Sequence, residues 1–247
     1  MKTEPLDINK SAPEPGTPLL TLSIVVPAYN ESANLADAIS MITSGIPAPV
    51  SDYEIIIVDD GSRDNTADII RTLAAANHNI IGIFHNVNQG KGAALNSGFA
   101  KSRMEWVLFM DADLQINFSE LSAFIEQTRN HDIIIGYRQD RRDPFARRFF
   151  SAIYAGIIRL SLGVGVHDLN CPFKLMRKSF LDSCDLRSKG FFIDTELMHA
   201  AFRNKARLKE LGVACQPRQK GQSTVRFRHV IETVRELFEL LGRRPSP

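Results

Sequence analysis

Asp111-Ala112-Asp113 sets two carboxylates one residue apart, directly after the apolar run WVLFM at 106–110. At the end of a strand the chain can turn so that both acids reach one hard cation. Magnesium and manganese prefer oxygen ligands and leave positions open for substrate phosphates. Gln115 adds a neutral oxygen two residues on. The competing assignment, an Asp-rich surface turn, is weakened by the strand-like run in front of the pair.

A second polar cluster, Asp59-Asp60-Gly61-Ser62-Arg63-Asp64-Asn65-Thr66, follows the run EIIIV at 54–58. Asp64 or Ser62 is expected to cap the helix that comes next. Asp59 and Asp60 side by side need donors, which a nucleobase and ribose would supply. A third cluster, Gln89-Gly90-Lys91-Gly92-Ala93-Ala94, has the look of a phosphate loop but not its pattern. Gly92 stands where a Walker A loop needs Ser or Thr, and Leu95 stands where a dinucleotide fingerprint needs its third glycine. A glycine-assisted helix start is the plainer alternative. Neither a P-loop ATPase nor a dinucleotide-dependent oxidoreductase is supported.

The basic residues lie elsewhere. Residues 1–137 hold 8 Lys+Arg against 17 Asp+Glu and residues 138–247 hold 22 against 11, so the net charge of +2 divides into −9 and +11. Such a division suits an acidic half that holds a cation and a basic half that meets anions. The stretch 138–148 alone carries five Arg and two Asp.

These clusters need elements to position them. Apolar and β-branched runs at 21–27, 54–58, 80–84, 106–110 and 132–137 read as strands. Helical spacing recurs at 31–44, 64–75, 90–101 and 118–129. Alternation of this kind implies a mainly parallel sheet covered on both faces, with ligands beyond the carboxyl ends of the strands. Three polar clusters fall at such ends: Pro27-Ala28-Tyr29-Asn30-Glu31 after the first strand, then 59–62 and 111–113. Beyond Tyr137 the pattern loosens: an apolar helix at 149–162, irregular chain at 163–192, a helix at 194–204, a strand at 208–215 and an amphipathic helix at 229–241. Residues 1–18, rich in Pro, Glu, Ser and Lys, read as a flexible tail.

Composition narrows the class. With 44% hydrophobic and 23% charged residues in 247, the chain is an ordinary globular one. It contains no run of about 18 apolar residues that would span a bilayer, and its beginning lacks the apolar core of a secretory signal. Three scattered cysteines form no CxxC pair, which suits a reducing cytoplasm. The acidic strand ends and the absence of an aromatic strand platform argue against nucleic acid as a partner.

Taken in order, VPAYNE (26–31), DDGSRDNT (59–66), NQGKGAALNSG (88–98), DADLQ (111–115), IIGYR (134–138), CPFKLMR (171–177) and FFIDTEL (191–197) resemble the motifs of family 2 glycosyltransferases with the GT-A fold. Within that family they are most similar to the polyprenyl-phosphate glycosyltransferases typified by dolichol-phosphate mannosyltransferase. The resemblance spans about residues 21–226. It implies an α/β fold, with a single GT-A domain at 19–226 and a helix and tail at 227–247. The implied activity is inverting, metal-dependent transfer of a sugar from a nucleotide-sugar, of the GDP-mannose or UDP-glucose type, to a dolichyl or undecaprenyl phosphate.

Residue by residue, Pro27, Tyr29, Glu31, Asp59, Asp60, Lys91, Asp111 and Ala112 would line the donor nucleotide pocket, Glu31 toward the ribose and Asp60 toward the base. Asp111, Asp113 and Gln115 would hold magnesium or manganese. Arg138, Arg147, Arg148, Ser151, Arg218 and Ser223 would bind the acceptor phosphate, since guanidinium forks match phosphate oxygens. Asp194 stands where relatives with hydroxyl acceptors keep a catalytic base. It could do that, hold a lysine or arginine of the acceptor site, or cap the helix that follows. Cys171-Pro172-Phe173-Lys174 departs from the usual Cys-Gly-Phe-Lys, and the membrane hairpins of some relatives have no counterpart in these residues. Lipid access would then be peripheral, on the cytoplasmic face, through Phe145, Phe149, Phe150, Ile153 and Ile157; core packing of that stripe is the alternative. Two further readings remain open: a soluble transferase acting on a hydroxyl, with Asp194 as base, and a nucleotide-sugar-binding protein without transfer activity.

Overall fold

A computed structural model describes residues 19–139, 156–160, 162–216, 235–237, 239–240 and 242. The elements run β1 (Leu20–Ala28), α1 (Leu35–Ser44), β2 (Val50–Asp59), α2 (Thr66–Ala76), β3 (Ile80–Phe84), α3 (Lys91–Lys101) and β4 (Trp106–Met110). A single 3-10 turn, Phe118–Glu120, leads into α4 (Leu121–Glu126). Then follow β5 (Ile133–Arg138), β6 (Phe173–Arg177), α5 (Lys178–Asp182), α6 (Ile193–Arg203) and β7 (Leu208–Val213). The strands form one seven-stranded sheet in the order β3-β2-β1-β4-β6-β5-β7. All neighbours are parallel except β6, which runs antiparallel to both β4 and β5.

Continuous apolar runs become central strands because both faces of the sheet are covered. Alternation then sorts their side chains. Ile55, Ile57 and Leu108 pack with Leu35, Ile39 and Phe124 of α1 and α4 on one face. Ile56, Val58 and Phe109 pack with Leu95, Phe99 and Leu197 of α3 and α6 on the other. Each of these side chains contributes about 1.5–3 kcal/mol by leaving water. Leu237 and Leu240 of the terminal segment join the second face, at 6% and 8% exposure.

The expected mainly parallel α/β sheet is the observed one, with a substantial correction. Residues 163–192 are not wholly irregular: they contain β6, which sits between β4 and β5. Gly163, Gly165, Pro172 and Gly190 give that stretch its irregular look, yet Lys174 within β6 is 0% exposed. Two helices are also shorter than their periodicity suggests. α1 starts at Leu35 because the backbone amides of residues 30–32 bond across to the loop after β2. α4 ends at Glu126, where the Thr128 hydroxyl donates to the Ile125 carbonyl, the local competition that makes Thr a weak helix residue.

Candidate active site

In β1, β2 and β4, the parallel strands at the centre of the sheet, register aligns Ala28 with Asp59 and Val25 with Phe109. The three polar clusters therefore leave the sheet side by side, where connections diverge to either side of β1. That is the position at which open α/β sheets bind ligands.

The loops after β1 and β2 are sewn together. Asn30 N–H donates to Ser62 Oγ at 2.9 Å, and Asn30 Oδ1 accepts from Arg63 N–H at 2.8 Å. Glu31 N–H donates to Thr66 Oγ1 and Ser32 N–H to Asp64 Oδ2. Asn30 adopts φ 54 to make these bonds, a conformation Asn tolerates better than most residues. Asp64 also accepts from Thr66 N–H at 3.0 Å, so it does satisfy the start of α2. Ser62 serves Asn30 instead. Burial opposes the charge of Asp64, but bonds from Thr66 and Ser32 prevail and hold its pKa below the usual carboxylate range. Pro27, Tyr29 and Glu31 are all partly exposed at this rim, and Glu31 Oε2 accepts from Asn34 Nδ2 at 2.7 Å.

Asp60, expected to face a base, is held by the protein. It is 3% exposed, and three protein groups meet its carboxylate. Oδ1 accepts from Gln89 N–H at 2.9 Å and meets His85 Nδ1 at 2.8 Å, while Oδ2 accepts from Gly90 N–H at 2.8 Å. His85 Nε2 meets Ser97 Oγ at 2.9 Å. Asp60 thus pins the loop that begins α3. Asp59, also 3% exposed, accepts from Ser62 N–H. The glycines of that loop answer to packing rather than to phosphate. A Cβ at Gly90, at φ 103, or at Gly92 would collide with the backbone at Lys189 and Ser188. The Lys189 carbonyl takes the Ala93 N–H at 3.1 Å, which leaves that amide unavailable to an anion. The loop 187–188 is held in turn by Glu196 Oε2, which accepts from both backbone amides.

Beyond β4, Asp111 and Asp113 are partly exposed, whereas Ala112 between them is 2% exposed. Leu114 follows at φ 60, a strained backbone costing about 1–3 kcal/mol of the kind found at functional turns. It returns Gln115 N–H to Asp113 Oδ1 at 3.3 Å, and Gln115 O accepts from Gln216 N–H at 2.8 Å. The donor set suits a magnesium- or manganese-type ion: hard oxygens from Asp111 and Asp113, with Gln115 adjacent. Among the described residues no three His, Cys, Asp or Glu side chains converge. A cation here would take most of its ligands from substrate and water, the habit of magnesium.

Lys91 and Asp194 complete the centre. Lys91 Nζ lies 3.2 Å from Asp111 Oδ1 and 3.8 Å from Asp194 Oδ2. Lys174 Nζ lies 2.5 Å from Asp194 Oδ1 and donates to the Cys171 carbonyl at 2.6 Å. Both ammonium groups flank the Phe109 ring, at 5.3 and 4.9 Å from its centroid. Burial disfavours the charge on Lys91, but Asp111, Asp194 and Asp113 outweigh it and hold its pKa above the ordinary lysine value. Asp194, at 2% exposure, makes no side-chain cap to α6, whose N-cap is Phe192. Its carboxylate is met by two lysines, Lys174 at Oδ1 and Lys91 at Oδ2.

Arg138 ends β5 with its fork already engaged: Nε and Nη2 donate to Asp168 at 2.7 and 3.0 Å. That pairing outweighs burial and raises the Arg138 pKa. Arg147, Arg148, Ser151, Arg218 and Ser223 lie outside the described residues, as do Phe145, Phe149, Phe150 and Ile153. Ile157 is 46% and Leu160 90% exposed, while Ile158 between them is 1% exposed. Burial pushes the thiols of Cys171 and Cys184 up to about 12, which leaves neither a nucleophile at neutral pH. Lys174, Asp168 and His85 were not foreseen as site residues. Only Lys174 left a signal, a lysine inside the motif CPFKLMR.

Comparison with known proteins gives a consistent picture. Residues 23–184 match the model of the family "Glycosyl transferase family 2". The undecaprenyl-phosphate 4-deoxy-4-formamido-L-arabinose transferase of Pseudomonas fluorescens (strain SBW25) is 34% identical over 168 residues, 67% of this chain and 49% of that protein. The transferase of the same name from Aeromonas hydrophila subsp. hydrophila is 29% identical over 234 residues, 93% of this chain and 70% of that one. The chain thus spans about half the length of the first of these relatives and 70% of the second. Among solved structures, glucosyl-3-phosphoglycerate synthase of Mycobacterium tuberculosis in complex with Mn2+, UDP-glucose and phosphoglyceric acid superposes with a TM-score of 0.71 at 20% identity, covering 92% of this chain and 82% of that one. The same enzyme with Mn2+, UDP and glucosyl-3-phosphoglycerate gives 0.68 at 21%, with the same coverage. At that identity the likeness shows the GT-A fold.

Proposed function

The chain belongs to glycosyl transferase family 2, and from that premise we propose that it transfers a sugar from a nucleotide-sugar to a polyprenyl phosphate, with inversion at the anomeric carbon. The observation that carries the reading is the acidic pair Asp111 and Asp113 on the end of β4, beside the rim formed by the β1 and β2 loops, with a lysine held at its edge. Its named relatives use undecaprenyl phosphate as acceptor, which favours a lipid phosphate here.

In this reading Pro27, Tyr29 and Glu31 bind the nucleoside, and the sewn loops hold that rim rigid. Asp111, Asp113 and Gln115 would hold magnesium or manganese, which would supply Lewis-acid neutralisation of the departing diphosphate. Lys91, beside Asp111, would offer the same diphosphate a positive charge. An oxygen of the acceptor phosphate attacks the anomeric carbon, and the bond from that carbon to the diphosphate breaks on the opposite face. The attacking oxygen is already anionic at neutral pH, so no general base is needed. Arg138, with Arg147, Arg148, Ser151, Arg218 and Ser223, would steer the acceptor phosphate, Arg138 acting through the donors that Asp168 leaves open. Exposed Ile157 and Leu160 would rest against the bilayer on the side where the lipid enters, a peripheral mode of contact. No helix among the described residues is long and apolar enough to cross a membrane.

The test is transfer of radiolabel from a panel of UDP- and GDP-sugars into an organic-extractable product, with undecaprenyl or dolichyl phosphate and Mg2+ or Mn2+. A labelled lipid that disappears on chelation is the expected result. No labelled lipid from any donor would remove the proposal. Label appearing only in water-soluble products would favour a hydroxyl acceptor instead.

A further inference from the structure

Four charged groups of alternating sign run from the rim of the site into the core: Asp111, Lys91, Asp194 and Lys174. The contacts along the row are 3.2, 3.8 and 2.5 Å. Exposure falls steeply along it, from 31% for the Asp111 side chain, through 14% for Lys91, to 2% and 0% for the buried pair. Such a gradient has a mechanical meaning. Asp194 and Lys174 are held by each other, by the Cys171 carbonyl and by the Phe109 ring, so they cannot move without leaving a buried charge unpaired. Lys91 is the one member with a buried partner on one side and a partly open one on the other. Its Nζ can stay close to Asp194 and the Phe109 ring while exchanging what it meets at the rim.

We propose that Lys91 is an exchangeable counter-ion of the donor site: it neutralises Asp111 before ligand arrives and passes to the donor diphosphate when a divalent cation takes Asp111. Asp194, backed by Lys174, is the positioning residue that keeps the ammonium within reach of both. The inference rests on the donor-site reading above and adds a competition to it. A cation arriving alone must displace Lys91 from Asp111 with no anion to receive it. A cation arriving with a nucleoside diphosphate gives the lysine a new partner, so metal and nucleotide each strengthen the other's binding, as linkage requires. Free metal is thereby held weakly, and the charged acid pair is not left bare between turnovers.

Two measurements test this, neither of which needs transfer activity. In the first, Mn2+ binding is followed by electron paramagnetic resonance or calorimetry with and without UDP or GDP. Lys91→Met should bind Mn2+ alone about 5–10-fold more tightly than the unmodified protein. With Mn2+ saturating, it should bind the nucleotide about tenfold more weakly. Lys91→Arg should restore part of both. Unchanged or weaker metal binding in a folded Lys91→Met protein would overturn the exchange. The second uses the unmodified chain and so does not depend on the variant folding. Acetylation of the Lys91 amine, read by mass spectrometry, should rise several-fold on adding Mn2+ alone and fall below the starting rate with Mn2+ and UDP or GDP together. A rate indifferent to Mn2+ would overturn the proposal while leaving the transferase reading intact. Failure of the unmodified protein to bind Mn2+ with either nucleotide would instead remove the donor-site reading, and the exchange with it.

Discussion

The two sides of the candidate site are built by different physics. At the β1 and β2 ends the loops are joined by hydrogen bonds between backbone amides and short polar side chains: Asn30 with Ser62 and Arg63, Ser32 with Asp64, and Asp60 with Gln89 and Gly90. At the β4, β6 and β5 ends the contacts are ion pairs: Asp111 with Lys91, Asp194 with Lys174, and Arg138 with Asp168. The first side is a fixed frame, since its buried acceptor Asp60 is held by two backbone amides and by His85. The second holds charges whose partners can change when a ligand brings its own. A frame that receives a nucleoside needs shape. A region that meets a diphosphate, a cation and a second phosphate needs compensated charge. Substitutions on the frame should therefore register mainly in stability, and those at the rim of the charged side mainly in binding and turnover.

The largest effect should come at that rim. Asp111→Asn is expected to lower sugar transfer by about a hundredfold or more, the scale of losing Lewis-acid charge stabilisation, with a melting temperature within a few degrees of the parent. A large thermal loss in this variant would blur the division between the two sides. Deeper in the row the outcome should invert. Lys174→Met leaves Asp194 buried beside only the more distant Lys91, and such half-broken buried pairs cost about 3–5 kcal/mol. Urea denaturation would measure it. The double variant Lys174→Met/Asp194→Leu should recover most of that loss, because no lone charge remains, without recovering nucleotide affinity.

On the frame, Asp60→Asn removes the charge from an acceptor of two backbone amides and sets an amide donor against them. It should cost about 1–3 kcal/mol, read as a lower denaturation midpoint with metal affinity nearly unchanged. The smallest effect concerns acid. The Asp64 pKa lies below its unfolded value, so its contribution is complete above about pH 4, where the unfolded carboxylate is ionised, and is lost as pH falls further through the folded value. Asp64→Ala should lower stability at pH 7 by about 0.5–1 kcal/mol by removing the acceptor of the Thr66 and Ser32 amides and flatten the decline below pH 4. An unchanged acid profile in melting experiments would assign that decline to other depressed carboxylates, Glu54 and Asp132.

Much of this was legible in the sequence because it is locally written. WVLFM followed by an Asp pair, and EIIIV followed by Asp-Asp-Gly-Ser, state strand and strand end within ten residues, and parallel order follows from the helices between them. Asp64 at the start of α2 and Asp111 with Asp113 on one loop needed nothing more. What could not be read was every partnership across the sheet. Lys174 lay in a stretch that reads as irregular chain and is the deepest cation of the site. Asp60 reads as a ligand for a base, and its bonds to Gln89 and Gly90 before α3 were not legible. Arg138 looked ready for phosphate and already holds Asp168.

Sequence alone thus settled which residue types stand at the strand ends, since hydrophobic period and turn chemistry act over a few residues and leave their mark in order along the chain. Which charges meet was decided by the tertiary structure. Lys91 and Asp194 are brought together by the packing of α3 and α6 on the same face of the sheet. A pairing between elements a hundred residues apart depends on sheet order and burial, which no local pattern encodes.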